Sequence, residues 1–540
     1  MTVLQQTALL PAELKEAAAK LLASGGRMQM AYAWYPKPRQ LELRYVASVP
    51  GQVPFAVWRC EADDSVPSLA NNCPLLGWYE REITDLFGLR FADHPQPQRL
   101  VLHEGVNPRL PPFDPDYPAD EPLRVESNMQ AVPELGGAEA DVQLLPFGPV
   151  RADVMESAEF LFFYVGEAIL HYQPQLFFKH RGMEKRFEGL EPGRGVVLAE
   201  RVSGVGSFAH ALAYCQALEA AANCEVPARA KHLRVLLAEM ERLYNHLHYF
   251  GHLCDTTTLK VGHAEGILLE ERAKQLNTRL TGSRFLRSLL GLGGLRRDLT
   301  PGPWLAAELG SLGDQFSAYA RHMESTASHL DRLITTGKLD RRTAFDQGAT
   351  GPIERASGID RDLRRDHPYA AYGALPPAVA VREAGDAHAR AQVRMAEVEA
   401  SLALIKRARN AARHPFLRRA YRRRRQAGAR QDQVAVVFEL ARVPVHRARN
   451  QHDGLRHQRG ELRSHHRGLR SLAHDPEKWE PVFGKDHAQR KGLASHAAMD
   501  IAGLAAGQTD RALAAGQGHR RARGFPRHAA IHAGVVRRML

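Results

Sequence analysis

The segment PARAKHLRVLLAEMERLYNHL, residues 227–247, repeats its apolar residues with the period of a helix. A proline whose φ is fixed near the helical value suits the first turn of such a helix. Apolar side chains then recur at three- and four-residue spacing and form one stripe: Leu233, Leu237, Met240, Tyr244 and Leu247. The pattern predicts a long helix that buries one face.

The segments around this helix predict a helical bundle that carries a small sheet. Residues 265–287 and 384–405 repeat their apolar side chains in the same way, and residues 160–165 read as a strand. We expect residues 144–406 to form one mainly helical domain with a small sheet.

Upstream of the bundle, residues 1–115 mix helix and strand signals. Residues 11–23 predict a helix, and residues 55–59 predict a strand. In residues 41–49 the alternate positions are apolar, as in a half-buried strand. Residues 114–142 are rich in proline and acids and lack sustained periodicity, which is typical of a linker. The predicted fold class is α+β, with an N-terminal α/β domain over residues 1–115 and a linker over 116–143.

The positive charge of the chain lies mostly after Lys406. Residues 407–540 contain 29 Lys+Arg and 10 Asp+Glu, whereas residues 1–406 carry a net charge of −6. The composition predicts a basic, irregular tail. A GC-rich gene translated out of frame would give the same composition, so both origins stay open. Nucleic-acid binding would rest on this tail alone and is the least favoured function.

Five cysteines and the hydropathy pattern limit the class of protein. None of the cysteines stands in a C-x-x-C pair, and an odd number argues against a disulfide framework. We therefore expect a reducing compartment and no secretory signal. No apolar run reaches the roughly 18 to 20 residues that span a bilayer. Any membrane association is expected to come through partners.

A motif near the N-terminus resembles a known family. WYEREITDLFG, residues 78–88, followed by His94 and Pro95, is similar to the signature of the complex I C subunit. By pattern alone, four charged residues form one helical face, beside inward-pointing Trp78, Leu86 and Phe87. That face is either solvated or, as the resemblance implies, a docking surface: Glu80, Arg81, Glu82 and Asp85.

Residues 144–406 resemble the complex I D subunit and the large subunit of group 4 nickel-iron hydrogenases. The motifs are LPFGP (145–149), HRGMEK (180–185), VPARA (226–230), LTGSR (280–284) and GDAHAR (385–390). Because both halves lie in one chain, the resemblance is to large subunits of formate hydrogenlyase and hydrogenase-4 complexes. It is predicted to stop near Lys406.

The resemblance implies a nickel-iron site that this sequence does not supply. Active relatives hold the metals with four thiolates from two C-x-x-C pairs, and thiolates suit soft transition metals. Ser203 and Gly206 occupy the positions of the first pair, and no cysteine follows Cys254. A serine hydroxyl is a poor substitute and glycine offers no ligand. We expect no metal and no other cofactor bound by this chain.

Complex I D subunits also lack the thiolates and shape a quinone pocket, where the resemblance implies a histidine that bonds the quinone carbonyl. Arg151 stands at that position here. Arginine can donate a hydrogen bond, but it does not give up its proton. Arg151 could therefore contact a quinone, while a simple proton-donor role is disfavoured.

Four residues are the candidate catalytic set. His180, Arg181 and Glu184 lie within one helical turn in sequence and could share a face, and His210 keeps the spacing that follows the first cysteine pair. In hydrogenase relatives the matching Arg-Gly-x-Glu carries a proton-transfer glutamate. The alternative is an ordinary helix ion pair. For Arg242 and His246, four residues apart, a satisfied core histidine is the preferred interpretation.

Residues 204–209 raise one alternative, because the sequence Gly-Val-Gly-Ser-Phe-Ala follows a strand-like run over 196–202 and Glu225 lies about 20 residues on. A dinucleotide site would need a second strand afterwards. The next apolar stretch is helical, so this interpretation is disfavoured.

The sequence therefore predicts a peripheral subunit of a membrane-bound oxidoreductase complex similar to NADH:quinone oxidoreductase or hydrogenase-4. It would take part in electron transfer beside an iron–sulfur cluster on a small partner subunit, with membrane subunits as further partners. The expected location is the cytoplasmic face of the inner membrane. The sequence does not identify the electron donor or acceptor; a quinone is one possible ligand, and hydrogen chemistry is disfavoured. The alternative is a non-catalytic structural subunit of the same complex.

Overall fold

The computed structural model describes residues 5–414, except for residues 38, 53, 103–105, 107–109, 118–141, 150–156 and 179. Arg151 and most of the predicted linker lie outside the described residues, as does nearly all of the predicted tail. Within the described ranges, no helix combines the length and the hydropathy that a membrane span requires.

The N-terminal part is an α/β domain, as predicted. Its strands are β1 (Gln5–Ala8), β2 (Arg27–Lys37), β3 (Gln40–Ser48), β4 (Ala56–Ala62), β5 (Ser65–Pro67) and β6 (Arg90–Ala92), and its helices are α1 (Leu14–Ala23) and α2 (Leu76–Phe87). The main sheet has the order β1-β4-β3-β2, in which only β1 pairs in parallel. The alternation predicted for residues 41–49 is confirmed, because Leu43, Tyr45 and Ala47 are fully buried.

The second part begins with a three-stranded antiparallel sheet formed by β7 (Gln143–Phe147), β8 (Glu159–Val165) and β9 (Ala168–Gln175). Helices and one small hairpin follow: α3 (Met183–Phe187), α4 (Pro192–Ala199), α5 (Ser207–Ala221), α6 (Ala228–Thr256), α7 (Lys260–Thr281), β10 (Leu290–Gly291), β11 (Gly294–Leu295), α8 (Pro303–Ser325), α9 (Ala327–Leu333), α10 (Arg341–Asp346), α11 (Pro352–Ala356), α12 (Leu363–Asp366) and α13 (Ala387–Arg413). The α+β class and the helical domain with a small sheet are confirmed.

Helix α6 is the central element of the bundle, and it packs against α7 and α13. Every residue of the predicted stripe is at most 2% exposed. Two glycines bring α6 and α7 close together, since a Cβ on Gly266 would lie 2.5 Å from the Cα of Gly251. This helix therefore fixes the positions of its neighbours.

Three predicted boundaries or elements were wrong. The helix predicted to reach residue 287 ends at Thr281, because Gly282 adopts a left-handed conformation with φ +74°. The strand-like run over 196–202 lies largely in helix α4, which starts at Pro192 and buries Val196 and Ala199 on one face. Helix α13 continues to Arg413, so residues 407–413, assigned to the tail, are helical.

The two parts of the chain contact each other through buried groups. The Arg27 guanidinium lies 2.6 Å from a Glu354 carboxylate oxygen, and both side chains are at most 5% exposed. The Trp78 indole donates to the Gln347 side-chain oxygen over 3.2 Å. The Phe55 and His367 rings stack with centroids 4.1 Å apart. These contacts fix the cleft that lies between the two parts.

Candidate functional site

A cleft of about 1350 Å³ lies between the N-terminal domain and the helical domain. Strand β2 and helix α2 form one side, and residues 176–177, 180–185 and 202–205 contribute from the helical domain. Ligand sites commonly lie between domains and combine apolar walls with a few polar groups. The cleft is therefore the candidate site.

Aromatic rings form a continuous row in the cleft. The centroids of Tyr35 and Phe87 are 5.8 Å apart, those of Phe87 and Phe113 are 5.3 Å apart, and those of Phe113 and His180 are 6.4 Å apart. The row thus leads from the N-terminal domain to a predicted site residue. Such a surface suits a planar, mostly apolar ligand.

The structure brings His180, Arg181 and Glu184 to this cleft, but not on a shared helical face. Helix α3 begins at Met183, and Gly182 before it has φ +54°. Arg181 therefore does not share a helical face with Glu184. Its guanidinium donates to the carbonyl oxygens of Arg201, over 3.0 Å, and Val202. The predicted helical arrangement was wrong, because a left-handed glycine breaks the helix between these residues and Glu184.

Ser203 and Gly206 lie between helices α4 and α5. Ser203 is buried and lines the cleft, and Gly206 immediately precedes α5. Ser207 Oγ donates to the Ser203 carbonyl over 3.4 Å. The nearest cysteine along the chain, Cys215, lies in the bundle core, where burial raises the pKa of its thiol to about 12. Among the residues that the structure describes, no group of three or more His, Cys, Asp or Glu side chains is placed to hold a metal.

His210 lies one turn into α5 and is half-buried. Its backbone N–H donates to the Gly206 carbonyl over 3.1 Å. The residues that line the cleft do not include it. The structure therefore separates His210 from the other three candidates. The dinucleotide interpretation also loses support, because helix α4 stands where its first strand would be.

Two of the four charged residues predicted on the face of α2 are buried. Glu80 accepts hydrogen bonds from Ser68 Oγ, over 2.5 Å, and from the Leu69 N–H, over 2.8 Å. Burial nevertheless raises its pKa to about 7. Neither a solvated face nor a docking surface describes this residue.

Asp85 has a similar internal role in the same helix. One of its oxygens accepts from three successive backbone N–H groups at 2.7 to 3.1 Å, those of Leu100, Val101 and Leu102. Arg81 donates to the carbonyl oxygens of Gln98 and Arg99. Among the four charged residues, Glu82 is the one that lines the cleft. The predicted face mainly organises the loop that follows the helix.

His246 is a core histidine whose two ring nitrogens both have hydrogen-bond partners, which is the interpretation that the sequence favoured. Its Nε2 lies 2.8 Å from Glu397, and Arg394 donates to its Nδ1 over 3.1 Å. Arginine has no acceptor, so Nδ1 accepts and Nε2 carries the proton, as in a neutral ring. Burial lowers the pKa of His246 to about 4. Arg242 also lies 3.6 Å from Glu397, which stays ionised.

This lowered pKa predicts a loss of stability in acid. The ordinary pKa of histidine is about 6.5, so the contribution of His246 is present above that pH and is lost as the pH falls toward 4. We expect His246→Gln to lose less stability than the wild type between pH 6.5 and 4, although it is less stable at pH 7. Urea unfolding of the wild type and of His246→Gln at pH 6.5 and at pH 4 checks this. Equal losses for the two proteins would contradict it.

Comparison with known proteins assigns both parts of the chain. Residues 11–123 match the family described as respiratory-chain NADH dehydrogenase, 30 Kd subunit, and residues 266–456 match its 49 Kd subunit family. These two stretches of the chain therefore resemble the 30 Kd and 49 Kd subunits of complex I. Residues 181–266, between them, match nickel-dependent hydrogenase. The predicted resemblance is confirmed, and the 49 kDa-type match continues past Lys406.

The names of three curated relatives are consistent with these family matches. Formate hydrogenlyase subunit 5 of Escherichia coli is 34% identical over 350 residues, which are 63% of this chain and 60% of that protein. Hydrogenase-4 component G of the same organism is 34% identical over 343 residues, 63% of this chain and 59% of that protein. The C/D subunit of the NADH-quinone oxidoreductase of Gluconacetobacter diazotrophicus is 29% identical over 365 residues, 63% and 60%. The chain thus spans about 60% of the length of these curated relatives.

Proposed function

We propose that this chain is a peripheral subunit of a membrane-bound oxidoreductase complex similar to NADH:quinone oxidoreductase or hydrogenase-4. The matches to the 30 Kd and 49 Kd subunit families support this, and so do relatives that are named as subunits of such enzymes. The partners are an iron–sulfur small subunit and membrane subunits. The complex lies on the cytoplasmic face of the inner membrane, and this chain is attached through those partners.

The cleft is the place where this subunit takes part in electron transfer. The observation that carries the proposal is the row of aromatic rings that ends at His180 within a cleft of about 1350 Å³. A quinone ring can stack on such a row, and a histidine can donate a hydrogen bond to its carbonyl oxygen. The acceptor is therefore a quinone, reduced by electrons from the cluster of the partner subunit.

Electron transfer here uses no nickel-iron site of this chain. The fit is poor at the first pair of ligand positions, where a serine hydroxyl and a glycine stand in place of two thiolates. Burial also raises the pKa of the Cys60 and Cys73 thiols, to about 11 in each case, which keeps them protonated.

Purification from native membranes tests this proposal. With an affinity tag on this chain, we expect iron–sulfur and membrane subunits to co-purify and nickel to stay far below one atom per chain by elemental analysis. One nickel atom per chain would contradict the absence of the metal site. A tagged chain recovered alone would contradict membership of a complex.

A further inference from the structure

Helix α6 directs three polar side chains at one short segment. They stand at positions 241, 244 and 245, so they share a face of the helix. Glu241 accepts from the N–H groups of Phe208, over 2.7 Å, and Ala209, over 2.8 Å. The Tyr244 hydroxyl and the Asn245 amide both donate to the Val205 carbonyl, over 3.0 and 2.9 Å.

The start of this segment belongs to the cleft wall. Residues 202–205, here called the cleft loop, line the cleft and lie outside any helix or strand, and the Val202 N–H donates to the Ala199 carbonyl at the end of α4 over 3.2 Å. Other side chains hold its flanks, since Arg181 donates to the Arg201 carbonyl and Arg287 Nε donates to Ser207 Oγ over 3.1 Å. The position of the loop is therefore set by side chains.

Of these three side chains, Glu241 has the highest free-energy cost of burial. It is 4% exposed, and burying a carboxylate is unfavourable unless hydrogen bonds compensate. The two backbone N–H groups that it accepts from belong to the first turn of α5, whose partial positive charge favours an anion. Removing this carboxylate leaves the buried Phe208 N–H and the partly buried Ala209 N–H without this acceptor.

We propose that Glu241, Tyr244 and Asn245 are positioning residues for the acceptor: Tyr244 and Asn245 hold the cleft loop at Val205, and Glu241 holds it indirectly by anchoring the first turn of α5 that follows it. None of the three lines the cleft, so they act through the loop. This inference rests on the proposed function, because the acceptor is the quinone class named above. It assigns the affinity of the cleft to residues on a different helix.

Two measurements on the intact complex from membranes test this, with Glu241→Ala, the isosteric Glu241→Gln, and Glu308→Gln as the control at an exposed glutamate on α8. The first is hydrogen exchange of the peptide that contains Phe208 and Ala209. We expect roughly tenfold faster exchange in Glu241→Ala, because two hydrogen bonds are lost. We expect a smaller effect in Glu241→Gln, which keeps one acceptor oxygen.

The second measurement is the reduction of decylubiquinone. We expect KM to rise roughly tenfold in Glu241→Ala with kcat within about twofold, as for the loss of uniform binding. Glu241→Gln should recover most of the affinity. If Glu241→Ala fails to assemble, the KM of Glu241→Gln is compared with that of the control Glu308→Gln. We then expect a smaller rise in KM, in Glu241→Gln alone.

Each outcome decides one part of the inference. Unchanged exchange in Glu241→Ala, or in Glu241→Gln if the alanine variant does not assemble, would overturn the role of Glu241 in holding the loop. Faster exchange with an unchanged KM would overturn its role in positioning the acceptor. A wild-type complex that does not reduce decylubiquinone would overturn the proposed function and the positioning role with it, while the exchange result would still show whether Glu241 holds the loop.

Discussion

Arg27→Ala is expected to lower the free energy of unfolding by about 3 kcal/mol, the low end of the cost of breaking a buried ion pair. Glu354 is 3% exposed. In this variant its described ion-pair partners would be reduced to the more distant Arg361 guanidinium, at 3.3 Å. The guanidinium of Arg27 also donates to the Ala349 carbonyl and lies 4.9 Å from the Phe345 ring centroid. Its removal therefore loosens the contact between the two domains.

A double variant separates the charge from the packing. Arg27→Met with Glu354→Leu removes both charges and keeps apolar volume, so it should cost much less than Arg27→Ala alone. Urea unfolding of the three proteins measures this. If Arg27→Ala unfolds at the same urea concentration as the wild type, the ion pair does not stabilise the contact.

Truncation after Ile405 is expected to destabilise the chain by about 3 kcal/mol more than truncation after His414. The shorter protein loses the last turns of α13, in which Ala408 and Ala412 are fully buried. The shorter protein also lacks the Ala412 carbonyl, which accepts a hydrogen bond from the 2% exposed Arg229. An unsatisfied buried donor costs about 1 to 3 kcal/mol. Residues 407–413 were predicted to belong to an irregular tail, but they are helical.

Thermal melting of the two truncated proteins checks this difference. At about 2 to 4 °C per kcal/mol for a domain of 150–250 residues, the shorter protein should melt several degrees lower. The protein cut after His414 is the matched control, because it retains helix α13 to its observed end. Equal melting temperatures would show that the last turns of α13 contribute nothing.

The predictable parts of the fold are those that local periodicity controls. The stripe of α6 and the alternation of β3 follow from repeats of about 3.6 and 2 residues, and both are buried as predicted. Helix α4 was misread because its adjacent valines favour a strand, whereas Pro192 and tertiary packing favour a helix. The burial of Glu80 was missed because its partners, Ser68 and Leu69, lie in a preceding loop.

The candidate site was only partly predictable. The resemblance pointed to His180, Arg181, Glu184 and His210 as the catalytic set, and the first three line the cleft whereas His210 does not. The cleft itself depends on contacts such as Arg27 with Glu354, which are 327 residues apart and leave no trace in local pattern. Glu241 was also missed, although an acid beside the apolar stripe of α6 is a signal that could have identified it.

The rate of quinone reduction by the tagged complex shows whether His180 binds the acceptor. We expect the wild-type complex to reduce decylubiquinone and His180→Ala to slow that reduction about tenfold, because the hydrogen bond that His180 donates to the quinone carbonyl is lost. His322→Ala, at a 38% exposed histidine outside the cleft, should match the wild type. A rate that His180→Ala leaves unchanged would contradict the account and identify this chain as a structural subunit.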